Sequence, residues 1–112
     1  MATIFHLVTE QDWESANGGQ HWRPASLADE GFIHCSGTED QAMRVVARLY
    51  PDRTDLLALE VDTEKLTSPL VSEASRSGEI YPHIYGPLDL GAVIKVWRVN
   101  QGGAGGYSLS DQ

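Results

Sequence analysis

The chain has a single cysteine, Cys35, so no internal disulfide can form and a reducing compartment is expected. No apolar run approaches the ~18 residues that cross a bilayer. The first residues also lack the basic-then-apolar order of a signal peptide, so a cytoplasmic location without a membrane partner is expected. Positive charge is scarce: 8 basic residues stand against 16 acidic ones, giving a formal net charge of −8. That balance disfavours sequence-independent binding to nucleic acid, where phosphate contacts dominate affinity. It leaves room for a small anionic ligand held by an arginine such as Arg23 or Arg76. Neither a GxxxxGKS/T loop nor a GxGxxG fingerprint occurs, and the glycine-rich tail lacks the flanking strand and helix such loops need. There is no CxxC, and no two histidines are two, three or four residues apart. A metal centre would therefore have to be assembled from separate strands, with Glu73 or Glu79 as a carboxylate ligand.

What is present is an ordinary globular composition, 112 residues with 41% hydrophobic, enough for one core. Thr3 to Val8 reads as a first strand, followed by a short helix over Glu10 to Ala16 capped by Thr9 and stopped by Asn17-Gly18-Gly19. Gln20 to Glu30 reads as an irregular surface loop, and Ile33 to Ser36 as a short strand. Thr38 and Gln41 fit a capping box, ahead of a helix whose buried face is Ala42, Val45, Val46 and Leu49. Pro51 ends that helix. Strands are expected at Leu56 to Val61, Leu70 to Glu73, Tyr81 to Tyr85 and, last, Ala92 to Val99, with Asp62 capping a single turn through Leu66. From Asn100 on, Gly102, Gly103, Gly105 and Gly106 among polar residues predict disorder. The expectation is an α+β domain over residues 1–99, a small mixed or antiparallel sheet with two main helices, and a disordered tail over 100–112.

Histidine carries the functional signal. His21 lies in the polar loop, but His6, His34 and His83 each sit inside an apolar, strand-like stretch. An imidazole there must be satisfied by a neighbour or face a cleft. Strand alternation puts His34 with Ser36 on one face and Cys35 with Ile33 on the other, so Cys35 is expected to pack inertly. The same alternation groups Tyr81, His83 and Tyr85 into a surface suited to stacking on a flat ligand ring. The plainer alternative is that these rings fill a half-buried sheet face. His6 shares its face with Ile4 and Val8, the usual setting of a satisfied core histidine.

Several phrases together resemble one family: Ile4-Phe5-His6, Trp13, Ser26 through Ser36 with its Gly31-Phe32-Ile33-His34-Cys35-Ser36 core, Gln41, Leu57 to Asp62, and Tyr81-Pro82-His83-Ile84-Tyr85-Gly86-Pro87-Leu88. The chain is thereby identified, over about residues 3 to 99, as a member of bacterial domain-of-unknown-function family number 952. That family resembles the ADP-ribosyltransferases in fold, in particular the RNA 2′-phosphotransferases that use NAD. The resemblance implies a cleft holding a small-molecule nucleotide, with NAD as co-substrate. His6 would hold a ribose hydroxyl, with Ser36, Tyr81 and Tyr85 completing the binding surface. His34, His83 and Glu73 are taken as catalytic candidates with no resident metal, although for the carboxylate Glu73 and Glu79 both stand without a matching motif. His6 is followed by Leu7 and Val8 rather than by glycine and a small hydroxyl residue, and no glutamate matches the transferase acid by motif. Three functions follow as expectations: an ADP-ribosyl- or 2′-phosphate-transferring enzyme, a non-catalytic nucleotide-binding module, or a metal-dependent enzyme using the strand histidines.

Overall fold

The computed structural model describes residues 2–16, 18–101 and 106–112. In chain order the first half contains β1 (Thr3–Thr9), α1 (Glu10–Glu14), β2 (His21–Trp22), α2 (Ala25–Glu30), β3 (Ile33–His34) and α3 (Glu39–Leu49). The second half contains β4 (Leu56–Asp62), β5 (Leu70–Ala74), β6 (Ile80–Ile84), β7 (Leu88–Asp89), β8 (Val93–Gln101) and β9 (Tyr107–Asp111). Single 3₁₀ turns at Thr63–Lys65 and Leu90–Ala92 join β4 to β5 and β7 to β8. Strands form three sheets, ordered β1-β4-β8-β9, β2-β7 and β3-β6-β5, and every pairing among them is antiparallel. Among the described residues no helix is long and apolar enough to cross a membrane.

β4 is the centre of the large sheet, and its sequence shows why. Leu56, Leu57, Ala58, Leu59 and Val61 are apolar on both faces, as a strand covered from two sides requires. Leu57, Leu59 and Val61 pack in one layer with Ile4 and Val8 of β1, Trp22, Ile33, Cys35 and Ile84. Leu56 and Ala58 pack in the other with Val46 of α3 and Val99 of β8. Each buried aliphatic side chain contributes roughly 1.5–3 kcal/mol. β1 lies at the sheet's edge, and α3 covers one face of it.

Local chemistry sets the helix ends as the sequence predicts. Thr9 Oγ1 accepts from the Asp12 amide, and Thr38 Oγ1 accepts from the Gln41 amide. The Gln41 side chain, however, reaches back to the Gly37 amide rather than to Thr38. Leu49, expected on the buried face of α3, is 55% exposed at the last turn of the helix.

Other expectations need correction. The stretch Gln20 to Glu30 is not a loop: it holds β2 and α2, and Trp22 is buried edge-on against Trp13. Among the described residues three α-helices form rather than two. β2 exists because β7 pairs with it, a tertiary cause invisible in two residues. His21 stays exposed, as its polar surroundings suggest, with Nε2 3.1 Å from Asp89. α2 ends where Gly31 adopts φ 84°, a left-handed conformation glycine reaches without strain, and its N–H closes on the Leu27 carbonyl. The tail is structured over Tyr107–Asp111, where β9 pairs with β8 and Tyr107 and Leu109 pack beside Val46 and Val99. Alternation of Tyr107 and Leu109 with polar residues is the signal that glycine content masked. The expectation of disorder for 102–105, like the Asn17 stop signal, lies outside the described residues.

Candidate functional site

The open edge of β1 carries the site. Phe5 exchanges both main-chain hydrogen bonds with Ser36, N–H to carbonyl at 2.8 Å in each direction. Strand alternation then turns the N–H and C=O of Leu7 toward the same edge, where among the described residues no strand of the sheet follows. At that edge lies a cleft of about 460 Å³, walled by β1, α2 and α3 and lined by His6, His34 and Ser36 among others. Its size falls in the range of small-molecule sites.

His6 is 5% exposed and donates Nδ1–H to the His34 carbonyl at 2.7 Å. A carbonyl only accepts, so Nδ1 holds the proton and Nε2 is left as an acceptor. Burial lowers the His6 pKa, and the hydrogen bond to His34 and the field of Asp12 offset this only in part. The His34 pKa is lowered to about 4, first by burial and then by the nearby His83, His6 and Arg48 charges. Both imidazoles lining the cleft are therefore neutral near pH 7.

His34 links the cleft to a second group. It pairs with His83 across β3 and β6, with ring centroids 5.4 Å apart. Phe32 stacks on His83 at 4.0 Å from the side. The same oxygen of Glu73, Oε1, accepts from His83 Nδ1 at 2.7 Å and from the Tyr85 hydroxyl. The Tyr85 hydrogen bond, then that from His83, hold the Glu73 pKa below the usual carboxylate value. This contact orients His83, whose Nε2 has no hydrogen-bond partner among the described residues, as in dyads where a carboxylate aims an imidazole.

The expected site residues thus fall into two adjoining groups. His6, His34 and Ser36 share the cleft, while His83, Glu73 and Tyr85 form a cluster beside it, outside its lining. Tyr81 departs from the stacking expectation: it is 2% exposed, with its ring against His34 and its hydroxyl on Glu79, so no face is free for a ligand. Glu79 also accepts from Gln41 and Arg44, which pins the β5–β6 hairpin to the start of α3. Cys35 is buried at 1% exposure, where burial pushes its thiol pKa up, as inert packing requires. Among the described residues no group of three or more His, Cys, Asp or Glu side chains is gathered closely enough to hold a metal ion.

The acidic pair Asp29-Glu30 before Gly31 reads in the sequence as capping or solvated residues at a loop end, and its place on the cleft wall was not foreseen. Asp12, Asp29 and Glu30 also line the cleft, as does Ser26, whose Oγ is buried and, among the described residues, has no hydrogen-bond partner. Ser26, Asp29 and Glu30 are spaced i, i+3, i+4 ahead of a glycine, a helical signal obscured by reading the stretch as loop.

Residues 7–96 match the model of the family described as Protein of unknown function (DUF952). No curated protein matches the chain. Solved structures of protein CC0527 from Caulobacter crescentus are similar to it. The crystal structure is 30% identical with a TM-score of 0.77, covering 95% of this chain and 93% of that one. A crystal structure of a double mutant of the same protein gives 27% identity and a TM-score of 0.79 at the same coverage. The solution structure gives 29% identity and a TM-score of 0.77, covering 95% and 91%. With four fifths of its length matched by the family model, this chain belongs to the DUF952 family.

Proposed function

We propose that the domain has the ADP-ribosyltransferase fold and that the cleft binds NAD or a related nucleotide through a ribose. The observation that carries this reading is the meeting of His6, His34 and Ser36 at the open edge of β1. A neutral imidazole with Nε2 free as an acceptor suits a ribose hydroxyl, which must donate. The Leu7 N–H and C=O at the same edge offer a donor and acceptor pair to a flat carboxamide. Support for the phosphates is thinner: among the described residues no lysine or arginine lines the cleft, and Arg48 reaches it through its field on His34.

In ADP-ribosyl transfer the bond from ribose to nicotinamide breaks with its electron pair, nicotinamide leaves neutral, and an acceptor attacks the oxocarbenium-like carbon. Carboxylates along the α2 wall suit that developing positive charge. His83, aimed by Glu73, is the group suited to take the acceptor's proton. Its place beside the cleft rather than within it favours a second reading, a binding module without turnover.

Amide chemical-shift titration with NAD, and with AMP as control, tests the proposal. Saturable shifts are expected at His6, Leu7, His34 and Ser36, and His34→Ala is expected to weaken binding at least about tenfold, or ~1.4 kcal/mol. Unchanged affinity in that variant would overturn the site. Binding without nicotinamide release over hours would select the module.

A further inference from the structure

The small sheet ends in an open edge. β6 lies between β3 and β5, and among the described residues no strand follows β5. Tyr85 N–H donates to the Pro69 carbonyl at 2.8 Å, and Ser75 N–H to the Glu79 carbonyl at 2.9 Å. Antiparallel bonding alternates, so Val71 and Glu73 also turn their main-chain groups to β6, opposite His83 and Tyr81. Ser72 stands opposite Pro82, which has no N–H to give. The N–H and C=O groups of Leu70, Ser72 and Ala74 therefore point away from β6, and among the described residues no other backbone group bonds them. The usual guards of an edge are absent: β5 carries no lysine, no proline and no register shift against β6. Its side chains are exposed on both faces, Leu70 at 38% and Val71 at 40%, and Ile80 and Tyr85 beside them are exposed as well. The other long edges differ. β1 is walled by α2 and α3, while β9 exposes serine and aspartate.

We infer that this edge pairs with the same edge of a second copy of the chain, antiparallel about a two-fold axis at Ser72. The sequence of β5 is self-complementary in that register. Ser72 exchanges both main-chain bonds with the partner's Ser72, and Leu70 does so with the partner's Ala74. Leu70, Ser72 and Ala74 are then satisfied on both copies. On the face toward the core, Ile80, Ala74 and the partner's Leu70 fall in one row, which covers apolar surface left exposed in the single chain. On the other face Glu73 stands opposite the partner's Val71, so the only charge of β5 does not meet its own copy. An axis one residue later would set Glu73 directly against Glu73. An axis one residue earlier would leave Ala74 beyond the partner's β5. The Ser72 register avoids both, and it carries the face of Glu73, His83 and Tyr85 onto the partner's Val71. A five-residue edge makes a small interface, and the net charge of −8 on each copy opposes it. The dimer is therefore weak and depends on concentration.

Sedimentation velocity of the full chain at physiological ionic strength, from about 5 µM to about 500 µM, tests this. A shift from monomer to dimer is expected within that range. Hydrogen exchange at the Leu70, Ser72 and Ala74 amides should slow as the dimer fills, because these groups face solvent in the single chain. Ser72→Pro removes the N–H at the axis without removing a bond to β6. Leu70→Lys leaves the backbone intact and sets a charge on the edge. Each substitution is expected to weaken association at least about tenfold, with the amide shifts of β4 unchanged. Should Ser72→Pro disturb the hairpin, Leu70→Lys decides alone. A chain that stays monomeric across the range overturns the inference. So does a dimer that Leu70→Lys leaves at full strength, or one in which the Leu70, Ser72 and Ala74 amides exchange as fast as in the monomer.

Discussion

Strands β4 and β5 mark two ways of holding a strand in this molecule. β4 is seven residues long and buried at all but Glu60, with apolar partners on both faces. β5 is five residues long and exposed at all but Glu73, which is only half-buried. The large sheet around β4 is held by burial. The small sheet around β6 shares that core through Ile33 and Ile84, while its outer side is tied by side-chain hydrogen bonds: Glu79 to Gln41, Arg44 and Tyr81, and Glu73 to His83 and Tyr85. The candidate chemistry lies where the two meet, with His6 supplied by the large sheet and His34 and His83 by the small one. Burial gives His6 a rigid position, the Glu73 contact aims His83, and the His34 ring is held by packing against Tyr81 and His83.

The sharpest way to break this contrast is to cut the larger sheet's core. Leu59 is fully buried opposite His6, so Leu59→Ala leaves a cavity and should cost about 2–5 kcal/mol in urea unfolding. A loss below ~1 kcal/mol would mean that burial at β4 is not what holds the frame.

A smaller effect is expected from the polar tie. Gln41 is 8% exposed; it accepts from the Gly37 amide and donates to Glu79 and to the Ile80 carbonyl. Gln41→Ala leaves those groups without their partner and should cost about 1–3 kcal/mol. Hydrogen exchange locates the loss: amides of β5 and β6 should speed up more than those of β4. Uniform acceleration across both sheets would erase the distinction between them.

The same contrast explains what the sequence made legible. β1, β4 and α3 announce themselves through apolar periodicity and side-chain caps, because their causes are local and each is bounded by its own residues. The grouping of Ile4, His6 and Val8 on one buried face was readable for that reason, as was the inert place of Cys35. The small sheet has distant causes. β3 is two residues long and exists by pairing with β6, so the approach of His34 to His83 depends on a register that no local pattern encodes. The inward turn of Tyr81 depends on Glu79, itself fixed by α3. α2 had a readable signal in Ala25-Ser26-Leu27-Ala28-Asp29-Glu30 before Gly31, yet Pro24 supplies no side-chain cap and the segment is a single short stretch. The carboxylate wall was lost with it.

The smallest expected effect is a pH slope that tells the two histidines of the cleft apart. The His34 pKa stands at about 4 in the fold against an ordinary 6.5, chiefly because of burial. Between those values the unfolded chain binds a proton at this position that the folded chain refuses. Stability therefore falls as pH drops from about 6.5 toward 4 and is unaffected by this group above that window. A full unit would give ~1.4 kcal/mol per pH unit, and because solvent reaches much of the ring about half that is expected. Burial of His6 acts in the same sense, so wild type should show a combined slope. Glu73, with its pKa depressed, contributes stability above its ordinary value near 4.5 and loses it only at lower pH, so it leaves the upper window untouched. His34→Phe keeps a ring against Tyr81 and His83 but cannot titrate. Urea unfolding of this variant between pH 6.5 and 4.5 should show the slope reduced by His34's share, with the remainder left to His6. An unchanged slope would assign the acid sensitivity to His6 alone, and with it the large sheet's edge rather than the small sheet.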